Sequence, residues 1–207
     1  MQEMRLLINI IVIMSLKKDT NYIVSGLERS GTSMIMQILH SGGVPVAFDF
    51  TSRPADENNP KGYFELEGGK VINRLMDGTF PLEMYRGKFI KITSFGMRFL
   101  PKGKYKVIYT QRNIEEVLFS MERMTKKKDE NRAEIRDSFL KLDILVKDII
   151  TKRDDIEELF VNYNQIIKNP KENIEKISHF IKEEEVNLDK MIESVDLSLY
   201  RNREIND

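Results

Sequence analysis

Short apolar runs alternate with amphipathic stretches along most of this chain. Tyr22-Ile23-Val24 is an apolar triplet that stops at Ser25-Gly26, the pattern of a short buried strand. After a glycine-bounded loop, a helix is predicted from near Ser30, with Met34, Ile35, Ile38 and Leu39 on one face and Gly42-Gly43 ending it. Lys88 to Thr93 alternates like a strand, and Tyr105 to Thr110 and Leu159 to Tyr163 are rich in β-formers. Further helices are predicted over Glu67 to Met76, from Ile114 with Glu115 and Glu116 in the first turn, and over Glu134 to Lys152. The third has Ile135, Phe139, Leu142, Leu145, Val146 and Ile149 along one side. A last long helix follows Asn169-Pro170 and presents Ile174, Ile177, Phe180 and Ile181, with His179 turned to the surface. Strands alternating with helices predict an α/β fold: three layers, α/β/α, around a mainly parallel central sheet.

Two segments break the alternation. Pro45 to Tyr63 holds two prolines and several turn formers, so it is predicted to be a long loop, and long loops in compact domains commonly carry function. Lys126 to Glu130 is a charged run expected at a solvated turn. At the N-terminus, Leu6 to Met14 is apolar but too short to span a bilayer, and Ser15-Leu16-Lys17 offers no small-residue cleavage site. Residues 1–14 are read as an extension, with an added packing segment or a membrane anchor as other readings. Residues 15–207 then form a single domain.

The candidate chemistry begins in Ser25-Gly26-Leu27-Glu28-Arg29-Ser30-Gly31-Thr32-Ser33. A strand, a Gly-rich turn and a helix N-terminus gather backbone N–H groups and the positive end of the helix dipole at one point. The spacing Gly-x-x-x-x-Gly-x-Ser is that of a P-loop, except that Thr32 stands where a P-loop has Lys. The cation is instead Arg29, inside the loop. A second element, Gln111-Arg112-Asn113, follows directly on the strand Tyr105 to Thr110, and ligands of open parallel sheets bind beyond strand carboxyl ends. Ser120 follows Arg112 by slightly over two helical turns. His40, at the end of the first helix, is expected to be partly exposed and to complement the helix dipole.

Composition narrows the partners. Lys+Arg and Asp+Glu both number 33, so no overall field recruits nucleic acid or a membrane surface, and any anion site is local. The chain has no Cys and two His, which excludes a Cys/His metal centre and fits a reducing cytoplasm.

In this order the segments resemble the sulfotransferases that use 3′-phosphoadenosine-5′-phosphosulfate (PAPS), most closely the small bacterial and archaeal members. The resemblance runs from about Asn21 to Arg203. It includes Ser25 to Ser33 as the 5′-phosphosulfate loop, the stretch Arg53-Pro54-Ala55-Asp56-Glu57-Asn58-Asn59-Pro60-Lys61-Gly62-Tyr63-Phe64-Glu65, and Lys88-Phe89-Ile90-Lys91. Tyr109 to Ser120 and Val161-Asn162-Tyr163-Asn164-Gln165 with Asn169-Pro170 complete it. The resemblance implies that Arg29, Ser30, Gly31, Thr32 and Ser33 hold the 5′-phosphosulfate, that Arg112 and Ser120 bind the 3′-phosphate, and that Tyr163 contacts the adenine. Arg29 and Lys91 would be the catalytic cations. PAPS would be the donor, PAP the product, and the acceptor an unknown hydroxyl or amine, with no metal ion.

Three positions depart from the family. Glu28 stands where Pro is common, Thr93 stands where a general-base His is expected, and the family's closing Arg-Lys-Gly tail is absent. The base is therefore expected on the long loop, among Asp49, Asp56, Glu57 and Glu65, and Arg201 and Arg203 are candidates to replace the tail. A PAP-binding module without catalysis and a P-loop nucleotide or small-molecule kinase are the alternative readings.

Overall fold

The computed structural model describes residues 16–49, 51, 53–128, 130–181 and 186–200. The apolar extension 1–14 and the candidate arginines Arg201 and Arg203 lie outside them. Four strands, β1 (Asn21–Gly26), β2 (Phe89–Lys91), β3 (Tyr105–Gln111) and β4 (Ile156–Asn162), form one parallel sheet in the order β2-β1-β3-β4. The register sets Ile23 against Ile90 on one side and Val107 on the other.

Successive strand residues point to opposite faces, so a parallel sheet covered on both faces needs consecutive apolar residues. Tyr22, Val24, Phe89 and Ile108 enter one core, where α1 (Thr32–Ser41), α7 (Pro170–Ile181) and α8 (Leu188–Glu193) supply Ile35, Ile38, Ile174, Ile177 and Met191. Ile23, Ile90, Val107 and Tyr109 enter the other, against α2 (Val71–Met76), α3 (Ser94–Met97) and α5 (Arg132–Lys152). The three-layer α/β/α arrangement expected from the alternating pattern is present. Two more helices, α4 (Ile114–Thr125) and α6 (Tyr163–Lys168), start immediately beyond β3 and β4.

Several boundaries differ from expectation for local reasons. The helix predicted over Glu67 to Met76 is a 3-10 turn, Glu67–Gly69, followed by α2, because Gly68 adopts a left-handed conformation at φ 62°. The strand predicted to Thr93 stops at Lys91, and Thr93 becomes the N-cap of α3. Tyr163 is the first residue of a helix rather than the last of a strand: the Asn162 side chain accepts from the Gln165 N–H at 3.0 Å and starts α6. On α5 the buried stripe runs through Leu142, Val146 and Ile150, while Leu145 is 42% exposed. That helix packs on α3, α4 and β4, and Leu145 lies beside the buried stripe, facing solvent. Lys126, in the left-handed region at φ 55°, ends α4 at the charged turn.

Ile108 is fully buried on the central strand β3. Ile108→Ala is expected to destabilise the domain by roughly 2–5 kcal/mol, measured as a lower urea midpoint with an unchanged slope.

Candidate active site

The loop between β1 and α1 runs close under β3 and β4. Gly26 has φ 150°, and a Cβ there would lie 2.3 Å from Thr110 Oγ1, so no side chain fits. Gly31 has φ 105°, and its Cβ would meet the Tyr163 ring at 2.4 Å. The absence of two side chains thus brings the β1 loop against the ends of two other strands. Ser30 tightens the joint: its buried hydroxyl shares a 2.8 Å hydrogen bond with Thr110, whose hydroxyl also reaches the Ser25 carbonyl at 3.1 Å. The Ser30 N–H turns back to Leu27 O. Ser30 is expected among the donor-holding residues; it does not line the cleft, and its hydroxyl and N–H serve the shape of the loop.

The cleft, of about 190 Å³, opens at the carboxyl edge of the sheet. Arg29, Gly31, Thr32, Ser33, Lys91, Arg112, Ser120 and Tyr163 all line it, brought from the ends of all four strands. No side chain caps the N-terminus of α1, whose first residues Thr32 and Ser33 face this space. Five cations line the cleft, Arg29, Arg53, Lys91, Arg112 and Arg123, against three carboxylates, Glu28, Glu65 and Asp196. The excess favours an anion.

Arg29 shows the imbalance most directly. Its guanidinium donates to Ser120 Oγ at 2.9 Å and to the Asn58 carbonyl at 3.3 Å, and among the described residues it has no carboxylate partner. Burial, with Arg112 and Arg53 nearby, presses Arg29 below its ordinary value, and Tyr63 and Asp56 only partly offset this. Its backbone is also held at φ 65°, where non-glycine residues rarely sit.

Arg112 is fixed from two directions. Its Nε donates to Glu116 at 2.8 Å, one helical turn along α4, and its Nη1 donates to the Arg29 carbonyl at 3.1 Å. The guanidinium lies 4.3 Å from the Tyr163 ring centre. Glu116 is buried and also accepts from Asn164 at 2.8 Å and from the Tyr200 hydroxyl at 2.6 Å. The role of Glu116 was not legible in the sequence, because Arg112 precedes the helix that begins at Ile114 and the bond joins a strand end to that helix.

Lys91, at the end of β2, is almost fully buried. Its ammonium donates to Glu65 at 2.8 Å, to Tyr63 O at 2.9 Å and to Ser33 Oγ at 3.2 Å. Burial lowers Lys91 from its ordinary value, and the Glu65 charge limits the fall. Glu65 also accepts from Arg53 at 2.6 Å, and Arg53 lies over the Tyr63 ring at 3.7 Å. Burial acts to raise the Glu65 carboxyl, but Lys91 and Arg53 together hold it below the usual range.

Of the four loop carboxylates expected to include the base, Glu65 alone lines the cleft. Asp49 accepts from the Thr51 N–H and hydroxyl, and Glu57 pairs with Lys126 on the surface. Asp56 accepts from the Tyr63 hydroxyl at 2.8 Å and from two backbone N–H groups, bonds that shape the loop. His40 is exposed at the end of α1, near the rings of Phe48 and Phe64. His179 is exposed on α7.

Among the described residues no group of acidic or histidine side chains is arranged to hold a metal ion, and no helix is long and apolar enough to cross a membrane. A family model described as "Sulfotransferase domain" matches residues 19–207. A search of curated proteins found no match. Among solved structures, the chain is similar to the sulfotransferase domain of the Synechococcus PCC 7002 olefin synthase, at 18% identity and a TM-score of 0.53, covering 84% of this chain and 75% of that one. It is also similar to mouse sulfotransferase SULT7A1 complexed with PAP, at 14% identity and a TM-score of 0.55, covering 92% of this chain and 69% of that one.

Removing Glu65 leaves the buried Lys91 ammonium without its carboxylate, whereas removing Lys91 leaves Glu65 paired with Arg53. Glu65→Ala is expected to destabilise the domain by about 3–5 kcal/mol in denaturant unfolding, and the double variant with Lys91→Met is expected to recover part of that loss.

Proposed function

The chain belongs to the sulfotransferase domain family, and we propose that its reaction moves a sulfuryl group from PAPS to a hydroxyl- or amine-bearing acceptor. The observation that carries the choice of donor is the half-buried Arg29 guanidinium, without a carboxylate partner among the described residues and next to an uncapped helix N-terminus. A buried charge left unpaired is costly, so a site of this kind is suited to an anion that completes it.

When bound, the donor would supply an activated sulfuryl group on a phosphate leaving group. In this reading Arg29 and the N–H groups and hydroxyls of Gly31, Thr32 and Ser33 hold the 5′-phosphosulfate. Ser30 supports them by shaping the loop. Lys91, bonded to Ser33 at 3.2 Å, neutralises charge on the transferring oxygens. Arg112 binds the 3′-phosphate, Ser120 holds Arg29 and faces the same phosphate, and Tyr163 offers its ring to the adenine. Fixed donors aimed at developing charge, with the reactants held in line, are the main sources of rate in transfers of this type. The arrangement asks for no bridging metal, since a sulfuryl group carries less charge than a terminal phosphoryl group. A cytoplasmic location is part of the proposal and rests on the absence of cysteine.

The kinase alternative is not favoured, because Thr32 stands in place of the phosphate-gripping Lys. Transfer of labelled sulfate from PAPS to candidate acceptors tests the proposal, and an absence of PAP binding in calorimetry would overturn it. Arg112→Ala is expected to weaken PAP binding by about 1.5–3 kcal/mol while leaving adenosine 5′-phosphosulfate, which lacks the 3′-phosphate, nearly unaffected. Equal losses for the two ligands would mean that Arg112 acts only on the fold.

A further inference from the structure

Thr93 occupies the position at which relatives are expected to carry a base, and the three carboxylates of the cleft differ in what they are free to do. Glu65 is held between Lys91 and Arg53. Asp196 pairs with Lys61 at 3.1 Å and caps the turn at Ser198. Glu28 is exposed, and among the described residues it enters no hydrogen bond or ion pair.

Glu28 also stands at a boundary. A second cavity, of about 90 Å³, adjoins the cleft and shares Glu28, Arg53, Glu65, Lys91 and Thr93 with it. From there it continues between Leu66, Val71 and Ile72. The cleft carries an excess of cations, and the part of the side cavity beyond the shared residues is apolar. Of the two carboxylates that line both, Glu28 and Glu65, Glu28 is the one not held by cations among the described residues. The geometry points to Glu28 as the general base, and to the side cavity as the seat for the apolar body of a hydroxyl acceptor, an alcohol or phenol. This inference rests on the sulfuryl-transfer reading above.

The step balances without a further reactant. The acceptor oxygen uses a lone pair to form the new O–S bond while its proton passes to a Glu28 carboxylate oxygen. The bond from sulfur to the bridging oxygen of PAPS breaks, and its electron pair leaves on the 5′-phosphate of PAP. Glu28 then gives the proton to water, so PAPS and an alcohol become PAP, a sulfate ester and a proton. The position of an acid beside an anion site gains a rationale. Seating the anionic donor next to Glu28 is repulsive, and taking up the acceptor's proton removes that repulsion. Glu65 is unsuited to this role, since two cations stabilise its charged form.

The test compares wild type, Glu28→Gln and Ile72→Phe under single-turnover conditions, with PAPS as donor and benzyl alcohol as the acceptor probe. PAP binding is measured in parallel by calorimetry. Glu28→Gln is expected to slow PAP formation about 100-fold or more, with PAP affinity unchanged or tighter. Ile72→Phe, which fills the side cavity, is expected to remove the rate increase given by benzyl alcohol and to leave PAP affinity unchanged. A wild-type rate no greater than that of Glu28→Gln, with PAP binding intact in both, would overturn the base assignment while the sulfotransferase reading stood. Loss of PAP binding in Glu28→Gln would also overturn it, by placing the carboxylate in the service of the donor. A benzyl alcohol response that is the same in wild type and Ile72→Phe would overturn the acceptor seat. Failure of wild type to bind PAP would instead overturn the donor reading.

Discussion

The cleft depends on how closely the β1 loop approaches the neighbouring strand ends. At Gly26 there is no room for even a methyl group beside Thr110, and at Gly31 none beside Tyr163. With both places empty of side chains, the loop, β3 and β4 press together, and the Ser25–Thr110–Ser30 hydrogen bonds join the first two. The Arg29 carbonyl then comes within 3.1 Å of Arg112, and the Arg29 guanidinium within 2.9 Å of Ser120. A larger residue at either glycine would separate the groups that the site has to combine.

On that frame the charges are arranged in two ways. Lys91, Arg53 and Arg112 are tied to carboxylates, Glu65 and Glu116, that are themselves buried or nearly so. Such pairs contribute little net stability, because desolvation offsets much of the attraction, but they hold long side chains in one geometry. Among the described residues Arg29 has no such partner, and its partial desolvation leaves a positive field at the helix N-terminus. The division fits a site whose paired cations shape the cleft and in which Arg29 meets the ligand. Glu65 joins these functions, since through Lys91 it connects the long loop to β2 and to Ser33 of the phosphate loop.

Much of this was legible in the chain and some was not. The strands and main helices follow from apolar periodicity, and the loop with its two glycines follows from spacing. Ser30 shows the limit of a motif. Its place in the sequence matches a ligand-holding residue, yet its hydroxyl turns to Thr110, eighty residues away. Leu145 makes a similar point for periodicity, which locates a helical face only to within one residue until the partner surface is known. The four loop acids could not be ranked, because two of them meet distant partners, Lys91 for Glu65 and Lys126 for Glu57, while Asp49 and Asp56 accept from Thr51 and the backbone of their own loop.

By itself, then, the sequence determined the fold class, the site of the anion loop and the identity of the cations that gather there, since each rests on residues near one another in the chain. The tertiary structure alone decided which side chains are committed and which are free. It bound Glu65 to two cations, fixed Arg112 through Glu116 and Tyr200, and left Arg29 and Glu28 facing the cleft without ion-pair partners among the described residues. The physical reason is that charge pairing and desolvation depend on separation in space, and strand ends far apart in sequence meet only when the sheet has formed.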